Sequence, residues 1–472
     1  MIISELKKTF TWWQISILGL LIFFPLFNML PNSNLGSDAS NYIFFDQCRP
    51  PLYPLFIGTF RIFGEKYLIF ARWAQTILNF IALLYAGLWM RKNLEMPNFS
   101  NFLILFSMIA LISLHTHTLV WIFSEGIAFP IFIVTFLLLV ENCKTLDTKK
   151  FTWLVVGTSL LTLTRHQFYY LYFILVFYVI WHLWRRESGK KIFSALSTII
   201  LSILITFSLA QIYYYWIDKN SVPSSNAAAW KYSGWRVLVQ PMYLANNHSE
   251  KYFSNSIEKN LFVSMKQHLE RDQYTRNSAA PLRNNNNLLA AEYHYMSILG
   301  MLQDSIRTAI KQNSPKDLSA DQVDKLLFHI SKILFFQQMK ENITFYIYRV
   351  THYAGGFWIF LSSLIAFLVM SYRIVIDRKW HPSIKQAFIL TSILFILTNA
   401  AFVAIVETES IRYFYYSIFL YFCLFGLLAK EFIKEIPLRK PNVAVDVRID
   451  RHESISQHGV LDGMKALDNR QS

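Results

Sequence analysis

The composition of the chain indicates a membrane protein. Its 472 residues are 54% hydrophobic, 17% aromatic and 16% charged, whereas soluble domains contain about 25% charged residues. This composition excludes a disordered chain, a small disulfide-stabilised secreted domain and a large water-soluble enzyme. The three cysteines are far apart in the sequence and cannot build a disulfide framework. The net charge of +15 is expected to reflect basic cytoplasmic loops, so no nucleic-acid partner is expected.

Ten apolar segments are predicted to cross the membrane, since a helix needs roughly 20 apolar residues to cross about 30 Å of hydrocarbon. The predicted spans are Trp12–Leu30, Tyr67–Met90, Phe102–Val120, Gly126–Val140, Phe151–Thr164, Phe168–Trp184, Ile192–Trp216, Gly355–Tyr372, Ala387–Val406 and Phe414–Ala429. The first is interpreted as a retained signal-anchor helix because it ends without a small-x-small cleavage site. The fifth is short, and only Arg165-His166-Gln167 separates it from the sixth.

The basic residues orient these spans. With a cytoplasmic N-terminus, most Lys and Arg residues of the short connections fall on the cytoplasmic side, including Arg91, Lys92 and the cluster at 185–191. The positive-inside rule therefore predicts that both termini are cytoplasmic. The predicted fold is an all-α polytopic membrane protein with about ten transmembrane helices and a large, partly helical extracytoplasmic loop.

Four regions follow from this topology. They are an N-terminal transmembrane module at 1–216 that contains the first outside loop at 31–66, an extracytoplasmic loop domain at 217–352, C-terminal transmembrane helices at 353–430, and a cytoplasmic, disordered tail at 431–472. Within the loop domain, Ser319 and Gln322 have the spacing of a helix capping box. The apolar residues that follow at helical spacing are Val323, Leu326, Leu327, Ile330, Ile333 and Leu334. This stripe is expected to pack on the membrane core or lie at the interface.

Ionisable residues collect in the short outside connections. They include Asp38, Asp46, Arg49, Arg61, His115, His117, Glu125, Arg165, His166, Glu407, Glu409 and Arg412. Each could simply be solvated, but connections that converge on one end of a helix bundle favour a shared site. A charged path through the bilayer is absent from the sequence, and this argues against an ion-coupled transporter.

Several short motifs resemble one enzyme family. The first outside loop contains Gly36-Ser-Asp38-Ala-Ser-Asn-Tyr42 and then Arg49-Pro-Pro-Leu-Tyr53-Pro54. Further motifs are Ser124-Glu125, Leu163-Thr-Arg165 and Glu409-Ser-Ile-Arg412-Tyr413. In this order they resemble the GT-C glycosyltransferases, such as the aminoarabinose transferase of lipid A and the protein O-mannosyltransferases. The chain departs from the family pattern at His166, where a Pro is common, and in the spacing before Arg412, so that Glu407 or Glu409 could be the counterpart acid.

The resemblance implies sugar transfer from a polyprenyl-phosphate donor to a cell-envelope acceptor. Phosphate is a good leaving group, so one carboxylate is needed, as the base that takes the acceptor proton. The family pattern assigns this role to Asp38, with inversion at the sugar, and Asp46 is the second candidate. Asp38 could instead be an N-cap or turn residue after Gly36-Ser37.

The same resemblance implies a binding site for the donor phosphate. Its candidate residues are Arg49, Tyr53, Glu125, Arg165, His166, Glu407, Glu409, Arg412 and Tyr413. An Arg side chain suits phosphate because its fork binds two oxygens, although each Arg could be a headgroup anchor. The aromatic run Tyr413–Tyr416 beside Arg412 could line the site or form an interfacial aromatic belt. No cofactor is required, but Glu407, Glu409 and Glu125 could bind a divalent cation.

Two other functions remain open from the sequence. A polysaccharide polymerase or O-antigen ligase would carry its reactive residues in the long loop, where Arg236, Arg271, Arg276, Arg283 and His294 occur. A lipid-linked sugar flippase or other transporter would move its substrate without forming a covalent bond. The expected location is the bacterial inner membrane, with the lipid bilayer, a lipid-linked sugar and an envelope acceptor as partners and the active face outside.

Overall fold

The structure is a computed structural model that describes residues 2–27, 39–45, 49–115, 121–220, 234–246, 248–277, 288–313, 319–376, 382–406 and 414–435. Within these ranges the chain is helical and contains no β-strand. This agrees with the predicted all-α class. Residues 1–430 form one compact unit.

The described residues of the first half of the chain supply ten α-helices. They are α1 (Ile2–Thr9), α2 (Trp12–Phe27), α3 (Ala39–Ile43), α4 (Leu52–Thr59), α5 (Tyr67–Leu94), α6 (Asn98–Ala110), α7 (Glu125–Asn142), α8 (Thr148–Thr164), α9 (Tyr170–Trp184) and α10 (Gly189–Asn220). A 3₁₀ segment at Phe60–Lys66 joins α4 to α5, and another at His166–Tyr169 joins α8 to α9. A π-helical turn, Leu111–His115, ends α6.

The second half supplies eight more described α-helices. They are α11 (Gly234–Leu244), α12 (Ser256–Arg271), α13 (Leu288–Asn313), α14 (Ala320–Gln337), α15 (Met339–Tyr353), α16 (Phe357–Ile376), α17 (Ile384–Val406) and α18 (Tyr415–Glu435). Local sequence explains where several of these helices begin. Ser319 and Gln322 form the predicted reciprocal capping box at the start of α14. In the first half, Asp147 caps α8 by accepting hydrogen bonds from the backbone N–H groups of Lys149 and Lys150.

The protein is a multi-pass membrane protein. Seven segments of the described chain are long and apolar enough to cross a membrane. They are Leu52–Leu94, Glu125–Asn142, His166–Trp184, Gly189–Ile217, Phe357–Ile376, Ile384–Ile405 and Tyr415–Phe432. The first and third predicted spans coincide with shorter apolar helices, Trp12–Phe27 and Asn98–Leu114. The fifth coincides with α8, which has 17 residues. The total of ten spans therefore stays a prediction.

Helix α7 lies at the centre of the membrane bundle. It packs against α5, α8 and α17. Of its residues 78% are buried inside the protein, compared with 6% of the apolar residues along α16. Its close approach to α5 depends on Gly126, where an added Cβ would clash with the side-chain oxygen of Gln75. This contact sets the position of the first turn of α7, which carries Glu125.

The long loop folds into a second hydrophobic core. Helices α11 to α15 contribute to this core, which includes Leu238, Phe262, Leu302 and Phe345. The apolar stripe of α14 packs here: its buried members are Val323, Leu327, Ile330 and Leu334, and Leu326 and Ile333 are partly buried against them. The expectation that this stripe packs on the membrane helices was wrong. A five-helix segment can bury its own apolar faces, so the stripe needs no membrane surface.

Reporter fusions along the chain will test the orientation. Because the basic connections should remain inside, we expect cytoplasmic signals from fusions after Lys92, Lys150, Lys191, Lys385 and Lys440. Fusions after Asp46, Ser124 and Ser314 should report the outside. A cytoplasmic signal at Ser314 would place the long loop on the opposite side and contradict the predicted topology.

Candidate functional site

The first outside loop lies against one end of the membrane bundle, which we call the first-loop face. Helices α3 and α4 contribute Ala39, Tyr42 and Tyr53 to a small buried cluster there. Ile122 and Ile127, at the start of α7, complete the contact with the bundle. The cluster fixes the position of a loop that would otherwise be free at the membrane surface.

A buried ion pair is at the centre of this face. Helices α7 and α8 are neighbours that follow each other along the chain, so the start of α7 meets the end of α8. Glu125 begins α7, and Arg165 is the first residue after α8; the two form a salt bridge with side chains only 1% and 10% exposed. Each charge also has the sign that its helix end favours, since carboxylates are stabilised at N-termini and cations at C-termini.

Polar and aromatic contacts connect this ion pair to the first loop. The Ser124 hydroxyl donates to the second Glu125 oxygen at 3.3 Å, and the Tyr42 hydroxyl donates to Ser124 at 3.2 Å. The Arg49 guanidinium lies over the Tyr42 ring, 5.1 Å from its centroid. Arg49, Tyr42, Ser124, Glu125 and Arg165 therefore form one continuous series of contacts.

Helix α5 adds a row of polar side chains that sequence reasoning missed. Gln75 accepts a hydrogen bond from the Tyr53 hydroxyl at 2.9 Å and donates to the Trp121 carbonyl oxygen at 2.9 Å. One turn further, Asn79 donates to the Gly126 carbonyl oxygen at 2.6 Å. Arg72, Gln75 and Asn79 recur at helical spacing on one side of an apolar helix, and this spacing was a signal available in the sequence.

Arg72 gives the first-loop face a further buried cation. Its side chain is 2% exposed, and its Nε and Nη2 atoms make no hydrogen bond within the described part of the chain. It acts electrostatically on Tyr53. Besides Glu125, the first-loop face therefore carries the guanidinium groups of Arg49, Arg72 and Arg165. A buried cation with unused donors favours an anionic ligand.

The structure brings together part of the predicted site. Arg49, Tyr53, Glu125 and Arg165 lie in or beside the contact series. His166 contacts a different helix: its Nε2 atom lies 3.2 Å from the Tyr214 hydroxyl of α10. Seven residues that were named as candidates lie outside the described residues: Asp38, Asp46, His117, Glu407, Glu409, Arg412 and Tyr413.

The aromatic run after Arg412 enters the protein core. Tyr415 and Tyr416 are 1% and 0% exposed, and the Tyr416 ring packs against Phe129, Phe132 and Phe168. The interpretation of these two residues as part of a lipid-facing aromatic belt was therefore wrong. Tyr416 lies close enough to the first-loop face to interact electrostatically with Arg165 and Glu125.

Of the long-loop residues required by a polymerase or ligase, Arg276 and His294 both lie beside Tyr243. Arg271 is paired with Asp272 at 3.2 Å. His294 lies 3.2 Å from the Tyr243 hydroxyl, and burial lowers the pKa of His294, so its ring is neutral at neutral pH. Arg236 has no described side chain, and Arg283 lies outside the described residues. No group of three metal-ligating side chains occurs in the part of the chain that the structure describes.

Comparisons with known proteins give no match. No protein-family model, curated protein or solved structure is similar to this chain at a significant level.

Proposed function

We propose that this protein is a membrane glycosyltransferase of the GT-C type. It transfers a sugar from a polyprenyl-phosphate donor to a cell-envelope lipid, glycan or protein at the outer face of the bacterial inner membrane. The observation that carries the proposal is the contact series at the first-loop face, which runs from Arg49 to the buried Glu125–Arg165 ion pair. A third guanidinium, that of Arg72, lies close to Tyr53 at the same face. This cationic cluster at the end of a membrane bundle suits the phosphate of a membrane-embedded donor.

The proposed reaction is a single displacement. The acceptor hydroxyl or amine attacks the anomeric carbon, the bond from that carbon to the phosphate oxygen breaks, and polyprenyl phosphate leaves with the bond electrons. Asp38 takes the acceptor proton as general base. Because attack and departure occur on opposite faces of the sugar, the configuration inverts. No general acid is needed, in contrast to hydrolysis of an ordinary glycoside.

The guanidinium groups have two roles in this scheme. Arg165 is held by Glu125, so its orientation is determined before the donor arrives. Within the described residues, the Arg72 Nε and Nη2 donors are not used in a hydrogen bond, and they suit the additional negative charge that develops on the departing phosphate. Asp38 is the residue immediately before Ala39, which is buried in the first-loop cluster.

A transfer assay tests the proposal. The full-length protein in liposomes is given radiolabelled polyprenyl-phosphate sugars and an envelope-lipid or glycan extract, and the products are separated by chromatography. We expect label in a new covalent product and release of polyprenyl phosphate. Movement of intact donor across the bilayer without a product would indicate a flippase. Transfer only from a pyrophosphate-linked donor would indicate the polymerase or ligase.

A further inference from the structure

A large cavity lies at the end of the membrane bundle opposite the first-loop face. It has a volume of about 1020 Å³ and lies between α1, the end of α5 and the turn that joins α7 to α8. Its basic side chains are Lys8, Arg91, Lys92, Lys144 and Lys150. We call it the basic cavity.

The basic cavity has more positive charge than its own carboxylates neutralise. Glu5 pairs with Lys8 at 2.8 Å, and Glu141 pairs with Lys150 at 2.7 Å. Lys92 and Lys144 form no ion pair with a carboxylate of the described residues, and Arg91 donates to the Met96 carbonyl oxygen at 3.1 Å. Three cationic side chains are therefore available to an anionic group in the cavity.

An apolar groove continues from the basic cavity along the membrane helices. The groove has a volume of about 910 Å³ and is formed by α4, α5, α7 and α8. Ile81 and Tyr85 line both spaces, so the two are adjacent. Along α7 the groove runs from Ile127 to Leu138, or about 17 Å at 1.5 Å per residue. The end of the groove next to the basic cavity, from Leu138 back to Val134, is therefore within reach of acyl chains whose headgroup lies in that cavity.

We propose that the basic cavity and the groove together bind an anionic phospholipid from the leaflet on the side of the basic cavity. Its phosphate headgroup contacts Lys92, Lys144 and Arg91, and its acyl chains lie in the groove beside Tyr85, Val134 and Val156. Charge complementarity selects this occupant, because basic pockets at the membrane edge bind anionic headgroups. Ligand pockets are commonly about 300–1,000 Å³, so both spaces are large enough. The headgroup position lies at the end of the bundle opposite the first-loop face, and only the far end of the groove reaches α4 and Ile127 of that face.

A lipid titration tests this site. Full-length protein in neutral detergent is titrated with phosphatidylglycerol or with phosphatidylcholine of the same chains, and one-to-one complexes are counted by native mass spectrometry. We expect phosphatidylglycerol to bind at a concentration at least about tenfold lower, from the attraction of Lys and Arg for anionic headgroups. The Lys92→Ala/Lys144→Ala variant should lose this preference. Equal binding of both lipids by the wild type would overturn the proposal.

Two further variants locate the headgroup and the chains. Lys190→Ala/Arg373→Ala removes the same charge from two exposed residues outside the cavity, and it should keep the wild-type preference. Val134→Trp fills the groove at a half-exposed position and should weaken phosphatidylglycerol binding about tenfold or more. Normal elution on size exclusion confirms that each variant is folded. If folded Val134→Trp binds as the wild type does, or if the charge control loses selectivity equally, the proposed site is wrong.

Discussion

The Asp38→Asn variant should insert, fold and bind the lipid donor, yet transfer sugar about 100 to 10,000 times more slowly than the wild type. Asn keeps the size and most hydrogen bonds of Asp but cannot accept a proton at neutral pH, and loss of a general base has a rate cost of this size. A surface loop substitution changes the free energy of unfolding by only about 0.5 kcal/mol. The measurement is the initial rate of radiolabel transfer in liposomes, with donor binding measured in parallel.

Asp46→Asn is the matched control, because it makes the same chemical change in the same loop. It should retain most of the wild-type rate. Asp38→Glu should recover little, since a misplacement of about 1 Å can cost about 100-fold in rate. An inactive Asp46→Asn beside an active Asp38→Asn would assign the base to Asp46. If both variants transfer sugar at the wild-type rate, this loop contains no catalytic carboxylate, and the glycosyltransferase proposal loses its main support.

Arg165→Met should reduce the free energy of unfolding by about 3–5 kcal/mol, because it leaves Glu125 buried without its partner. The Ser124 hydroxyl contact at 3.3 Å remains, but a neutral hydrogen bond does not replace the charge of a guanidinium. The loss can be measured by unfolding the purified protein with increasing SDS. Transfer activity should also be lost, since Arg165 binds the donor phosphate in the proposed mechanism.

The double variant Glu125→Met/Arg165→Met separates stability from function. Replacing both members of a buried ion pair by apolar side chains of similar size is often neutral, so most of the stability should return while transfer stays absent. Lys191→Met is the control for charge removal. It breaks a 3.6 Å pair in which Lys191 is 48% exposed, and exposed pairs contribute only about 0–1 kcal/mol. If the double variant transfers sugar, the ion pair has only a structural role.

Local sequence patterns were sufficient to predict much of the helical framework. Each apolar segment that was predicted to span the membrane coincides at least in part with a helix, because a chain in hydrocarbon must satisfy its backbone hydrogen bonds internally. The capping box at Ser319 and Gln322 was also predicted correctly, since a cap depends on residues three positions apart. These features depend on neighbours along the chain, and the sequence displays such neighbours directly.

Tertiary packing alone decided which side chains meet. Tyr42 and Ser124 are 82 positions apart and form a hydrogen bond, and the charge of Arg165 is matched by Glu125 because α7 and α8 are antiparallel neighbours. No local pattern distinguishes Arg165, which joins this ion pair, from His166, which contacts Tyr214 on α10. The apolar stripe of α14 likewise has the same spacing whether it packs on membrane helices or in the loop domain's own core. Helical periodicity defines a face, but the partner of that face depends on how distant helices pack.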